Sequence, residues 1–209
     1  MSALLVVDIQ NDFLPGGSLA VPDGDRIIPI INRLTNHFDL VLATQDWHPP
    51  DHASFAANHP GHQPGEIIDL AGIPQILWPV HCVQHSIGAA FASQLRSDRF
   101  TRIFRKGTDP NIDSYSTFFD NAKLRATGLA DYLREHKMNE LFICGLATDY
   151  CVKFSVLDSR TLGIRSHVIQ DACRGVNLQP DDSEKAIAEM RAAGASIIDS
   201  GKIFRQLPK

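Results

Sequence analysis

Short unbroken apolar runs alternate along this chain with longer stretches in which apolar residues recur every three or four positions. Ala3-Leu4-Leu5-Val6-Val7 is the first run, of the kind shown by a parallel strand buried on both faces, and it stops at Asp8. Ile27, Ile30, Ile31, Leu34 and Phe38 then recur at helical spacing, with Asp23 or Asp25 as N-cap and Pro29 tolerable only near the first turn. Leu40-Val41-Leu42-Ala43-Thr44 repeats the strand pattern and ends at Gln45-Asp46, and Thr101 to Lys106 forms another strand ending at Lys106-Gly107. Leu129, Tyr132 and Leu133 mark a helix leading into the strand Glu140-Leu141-Phe142-Ile143-Cys144. His167-Val168-Ile169 ends a further strand at Asp171. Ile187 and Met190 lie on a helix that Asp181 and Glu184 can box and Gly194 can stop, and Ser196-Ile197-Ile198 is a last short strand. From Asp46 to about Leu77 no periodicity is sustained, and an irregular connection of that length is usually functional or mobile.

This alternation predicts an α/β fold, an open parallel sheet with helices on both faces, whose ligands sit beyond the carboxyl ends of the strands. Gly145-Leu146-Ala147-Thr148-Asp149-Tyr150-Cys151 follows one strand and opens a helix that ends at Leu162-Gly163, with Thr148 or Asp149 as N-cap. Cys151 then lies in the first helical turn, where free N–H groups and the helix dipole favour an anion, so its thiol is expected to ionise more easily than a free one. Asp8, Asp46, Lys106 and Cys151 each stand at the carboxyl end of a separate strand and should converge on one edge. A thiol, a carboxylate and an ammonium placed together make a nucleophilic trio. Each has a plainer role when taken singly: Cys151 as a small buried hydrophobe, Asp8 as a loop or cap residue, Lys106 as a solvated charge.

Length and composition narrow the choices. With 209 residues, 44% of them hydrophobic and 21% charged, residues 1–209 are expected to form a single domain with one sizeable core. The net charge of −4, without long basic or acidic runs, gives no footprint for nucleic acid or an anionic membrane. The apolar run at Met1 to Asp8 is too short for a signal peptide, and no segment approaches the ~20 apolar residues of a membrane span, so a cytoplasmic location is expected. Cys82, Cys144, Cys151 and Cys173 contain no C-x-x-C pair and read as free thiols.

Asp46-Trp47-His48 is a second constellation, because alternate residues of an extended segment point the same way and can offer a carboxylate and an imidazole to one cation. His52 and the more distant His81 could add ligands. The plain alternative is a polar loop in which nine histidines scatter by chance.

Gly145 to Val152, taken with Asp46-Trp47-His48-Pro49, Asp8-Ile9-Gln10-Asn11-Asp12-Phe13, Trp78-Pro79-Val80-His81-Cys82-Val83, Lys106-Gly107 and Asp113-Ser114-Tyr115-Ser116, resembles the nicotinamidases (pyrazinamidases) of the isochorismatase-like cysteine hydrolase family, nearly end to end. The resemblance implies a six-stranded parallel sheet in a three-layer, Rossmann-type arrangement, and hydrolysis of nicotinamide, and of pyrazinamide, through a cysteine thioester, in NAD salvage. It assigns Asp8, Lys106 and Cys151 as the catalytic triad and Asp46, His48 and His81 as ligands of one divalent metal, zinc first, with iron or manganese as alternatives. His52 is a further ligand or gives way to water. It also implies a cis Leu146-Ala147 peptide, an oxyanion hole from the N–H groups of Ala147 and Cys151, and a ring pocket of Phe13, Trp78 and Tyr115 with Leu19 at its wall. Nicotinamide would be the partner, and self-association is left open. Three rivals remain: another amidase or a vinyl-ether-cleaving isochorismatase on the same fold, a metallohydrolase in which metal-bound hydroxide attacks and Cys151 only packs, and a non-enzymatic nucleotide-binding module. No G-x-G-x-x-G follows the first strand to support the last.

Overall fold

A computed structural model of the chain describes residues 1–70 and 72–206. Six parallel strands form its main sheet: β1 (Ser2–Val7), β2 (Val41–Asp46), β5 (Arg102–Lys106), β6 (Glu140–Leu146), β7 (Arg165–Arg174) and β8 (Ser196–Ile198). Their order across the sheet is β5-β2-β1-β6-β7-β8. The chain starts at the centre with β1, builds outward through β2 to β5, then crosses back to β6 on the other side. That reversal places a crevice beyond the carboxyl ends of β1 and β6, where a ligand site is expected in such sheets.

The apolar runs are central strands because both their faces are covered: Ala3 to Val7 are all fully buried. Helix α1 (Ile28–Leu34) carries Pro29 in its first turn, where a missing N–H costs nothing, and buries Ile28, Ile31 and Leu34. It packs with α5 (Ser200–Gln206) against β7, while α3 (Lys153–Thr161) and α4 (Asp182–Ala192) pack together on the other side. Helix α2 (Leu129–Glu135) buries Leu129, Tyr132 and Leu133, with Tyr132 edge-on to Phe104 of β5. Gly163 and Gly194 end α3 and α4 at positive φ, 77° and 87°, as the sequence pattern predicts.

Several local expectations give way to tertiary structure. A two-stranded antiparallel hairpin, β3 (Ile67–Leu70) with β4 (Ile73–Ile76), forms within the connection that shows no periodicity, and α5 follows the last strand unannounced. Asp23, at φ 55°, precedes a 3-10 turn (Gly24–Ile27) without a capping hydrogen bond from its side chain. Asp181 likewise does not cap α4 but pairs with Lys185 at 2.8 Å, one helical turn on. After β6, Thr148–Val152 forms a π-helical turn before α3, and neither Thr148 nor Asp149 caps it. Its Val152 N–H reaches back to the Ala147 carbonyl at 3.0 Å, five residues away. The Asp149 carboxylate instead accepts the N–H groups of Val176 and Asn177, at 2.9 and 2.7 Å, tying this turn to the loop after β7. Gly145 has φ 124°, and a Cβ there would lie 2.1 Å from the Val7 carbonyl oxygen, so only glycine lets β6 approach β1 this closely.

Candidate active site

Asp8 follows β1, Asp46 ends β2, Lys106 ends β5, and Cys151 lies in the π-helical turn after β6; all four are buried. Lys106 is the hub. Its ammonium donates to Asp46 Oδ1 at 2.5 Å, to the Ser114 carbonyl at 3.0 Å and to Cys151 Sγ at 3.3 Å, and lies 2.9 Å from Asp8 Oδ2. The ammonium has three N–H bonds for four acceptors within reach, so Asp8 Oδ2 and Cys151 Sγ share it, and this fully buried oxygen meets no donor besides Lys106. The other carboxylate oxygen accepts the Thr44 hydroxyl at 2.7 Å, which fixes the group's orientation. Asp8 itself adopts φ 50°, a left-handed conformation that is rare outside glycine and turns its side chain within the crevice.

Burial pushes the Asp8 pKa up, and the Lys106 charge only partly offsets it. Burial opposes charge on Lys106 too, but Asp46 and Asp8 on either side carry its pKa well above the ordinary value. The Cys151 thiol is also raised, first by burial and then by the carboxylates of Asp8 and Asp46, against the pull of Lys106. This corrects the expectation of an easily ionised thiol: two buried carboxylates and the loss of water outweigh the helix start. The resting group is a thiol beside a carboxylate oxygen held by Lys106 alone.

On the far side of Lys106, Asp46, His48 and His81 can bring one ligand atom each to within 4.8 Å of one another. His48 Nδ1 donates to the Gly107 carbonyl at 2.9 Å and His81 Nδ1 to the Pro79 carbonyl at 2.8 Å, which leaves both Nε2 atoms to serve the cluster. Burial keeps His81 neutral, with a pKa down to about 4, whereas on His48 burial is outweighed by the Asp46 carboxylate, which raises the pKa and holds a proton that a metal would replace. One carboxylate and two imidazoles suit a divalent metal. His52 belongs to a neighbouring group with His48 and Asp113. Its Nδ1 accepts the Ser54 N–H at 3.3 Å and contacts the Ser54 hydroxyl at 2.7 Å, so Nε2 carries the proton; that nitrogen is buried and unpartnered. Gly107, at φ 63°, backs the cluster, because a Cβ there would lie 2.4 Å from the His48 ring. Gly107→Ala should therefore displace His48 and weaken metal binding by about 10- to 100-fold, checked by metal content after dialysis against a chelator.

Beside these groups a pocket of about 370 Å³, including its open mouth, is lined by Phe13, Leu19, Trp78, Tyr115, Ala147 and Cys151 together with Asp46, His81, Asp113, Tyr150 and Val176. Every residue singled out for the ring pocket lines it. The Leu146-Ala147 peptide is cis, as the resemblance implies. Trp78 stands edge-on to Tyr150 and Tyr115, at ring separations of 5.0 and 6.5 Å, and its indole N–H donates to the Tyr115 hydroxyl at 3.1 Å. Asp113, Tyr150 and Val176 were missed in the sequence. Tyr150 adjoins Cys151 and could have been found from that alone; Val176 reaches the pocket only through the Asp149 link, which no spacing reveals.

Residues 2–202 match the Isochorismatase domain family. The chain belongs to this family. It is 51% identical to a nicotinamidase of Escherichia coli (strain K12) over 199 residues, 93% of each chain. A solved structure described as an Acinetobacter baumanii nicotinamidase and pyrazinamidase superposes with a TM-score of 0.94 at 46% identity, over 97% of each chain. A Pyrococcus horikoshii pyrazinamidase in complex with zinc superposes with a TM-score of 0.77 at 38% identity, over 95% of this chain and 98% of that one. The six-stranded parallel sheet is thus the family's fold, and the sheet-alone reading as a nucleotide-binding module falls away.

Proposed function

We propose that this chain is a single-domain hydrolase that converts nicotinamide to nicotinate and ammonia, acts on pyrazinamide as well, and thereby serves NAD salvage. The observation that carries the reading is Asp8 Oδ2, met only by the ammonium it shares with the buried Cys151 thiol, beside an aromatic-walled pocket. A carboxylate oxygen with no other donor and a raised pKa is a proton acceptor held ready.

Phe13, Trp78, Tyr115 and Leu19 hold the flat ring in this reading. As Sγ bonds to the amide carbon, its proton passes to Asp8 Oδ2 and Lys106 stabilises the sulfur's developing charge. The oxyanion rests on the N–H groups of Ala147 and Cys151. Asp8 then protonates the departing amine, leaving a thioester, and takes a proton from the water that releases nicotinate. Asp46, His48 and His81 would hold a divalent metal, with zinc the first choice given the zinc-bound pyrazinamidase relative. Bound there, it would fix the ring by its nitrogen, directly or through water. With its Nδ1 occupied by the Ser54 N–H and hydroxyl, His52 stays outside the ligand set in this reading and presents an Nε2–H instead. Among the described residues no helix is long and apolar enough to cross a membrane, which supports an aqueous site of action.

Ammonia release from nicotinamide, compared across a panel of other amides, tests the reading directly. Iodoacetamide should abolish turnover and nicotinamide should protect. Cys151 should be alkylated fastest of the four cysteines, because it alone of them lines the pocket. Faster labelling of Cys82 or Cys173 with parallel loss of turnover would remove Cys151 as the nucleophile.

A further inference from the structure

The strands of the β3–β4 hairpin are exposed or half-buried, with Ile67 67% accessible, except at Gln75, which is only 2% accessible. A polar side chain buried in such a hairpin needs strong partners. Gln75 Nε2 contacts three oxygens: the Ile76 carbonyl at 2.7 Å, Asp113 Oδ2 at 3.1 Å and the Tyr115 hydroxyl at 3.1 Å. The first two can only accept, so the amide nitrogen must face them. Tyr115 in turn accepts a hydrogen bond from the Trp78 indole N–H, and Asp113 Oδ1 accepts one from the N–H of Ser114, whose carbonyl accepts one from Lys106. One amide thus joins the hairpin to two rings of the pocket wall and to the loop segment 113–115.

We infer that Gln75 is a positioning residue for substrate recognition: its amide sets the Trp78–Tyr115 wall and the Asp113 carboxylate without touching the substrate. The inference rests on the reading above that this pocket takes the ring of an aromatic amide. Because Gln75 bonds the wall directly and reaches Lys106 only through Asp113 and the Ser114 backbone, its loss should fall chiefly on KM. Gln75→Met keeps the volume and removes the donors. Gln75→Glu sets a second carboxylate against Asp113.

The experiment uses the metal-loaded enzyme. Gln75→Met should raise KM for nicotinamide about tenfold with kcat within about twofold of wild type, the size expected when a buried hydroxyl and a carboxylate lose one donor. Gln75→Glu should raise KM further. Both should keep the far-ultraviolet circular dichroism and metal content of the wild type while the near-ultraviolet aromatic signal changes, and Ile67→Ser on the same hairpin should alter none of these. An unchanged KM for Gln75→Met, or a fall in kcat alone, overturns the inference. The near-ultraviolet comparison does not depend on turnover, and an unchanged signal also overturns it. Wild-type protein that releases no ammonia would instead fail the functional reading.

Discussion

Cys151→Ala should keep its metal and still bind nicotinamide, while its turnover falls by a factor on the order of 10⁴ to 10⁶. Asp46, His48 and His81, the proposed ligands, and the aromatic walls remain in this variant, and only the sulfur 3.3 Å from Lys106 is gone. Truncating a buried side chain to alanine removes little volume here, so the fold should survive. His48→Ala should do the reverse. It should lose metal and bind nicotinamide weakly, because one imidazole of the cluster is missing, yet its Cys151 should still react with a small alkylating agent. Lys106 keeps its contacts with Cys151 Sγ and Asp8 Oδ2, at 3.3 and 2.9 Å, and neither involves that ring. The measurements are metal content, equilibrium binding of nicotinamide and turnover for both variants. Near-wild-type hydrolysis by metal-loaded Cys151→Ala would sink the thiolate mechanism and favour metal-bound hydroxide.

The sheet was legible because its strands are buried on both faces. Ala3 to Val7 can only be a continuous apolar run if helices cover both sides, and a polar residue at its end marks where the crevice begins. That is why Asp8, Asp46 and Lys106 could be set on one edge from three unrelated stretches. The hairpin was not legible, because Ile67 and Ile68 are held by strand pairing at the surface and by Gln75, not by burial of an apolar face. The cap assignments failed for a related reason. Asp149 satisfies two N–H groups of a loop 27 and 28 residues further on, a partner that outcompetes the local cap. Proton affinities were the least readable feature. A helix start lowers a thiol's pKa, but burial, and after it two carboxylates from the ends of β1 and β2, raise it, and only the folded structure shows that they share the space.

Lys106→Met should lose turnover by a factor on the order of 10³ and also lose about 3–5 kcal/mol of stability, because the ammonium sits between two buried carboxylates, of which Asp8 has no other cation beside it in metal-free protein. The stability loss separates this residue from a solvated surface lysine, whose replacement would cost well under about 1 kcal/mol. Its pH dependence follows from the two carboxylates. Burial has already raised the Asp8 pKa, and removing the cation raises it further; a carboxyl group whose pKa is higher in the folded protein contributes stability that is lost as pH rises. In the wild type, Asp46 has its pKa lowered, burial notwithstanding, by Lys106 and His48, so it contributes stability above its ordinary value of 3.8 and loses it as pH falls. The variant should therefore be far less stable than wild type at neutral pH and approach it in acid. Chemical denaturation of metal-free wild type and Lys106→Met across that range reads the convergence, and parallel curves would show that the charge of Lys106 is not what joins Asp8, Asp46 and Cys151 into one site.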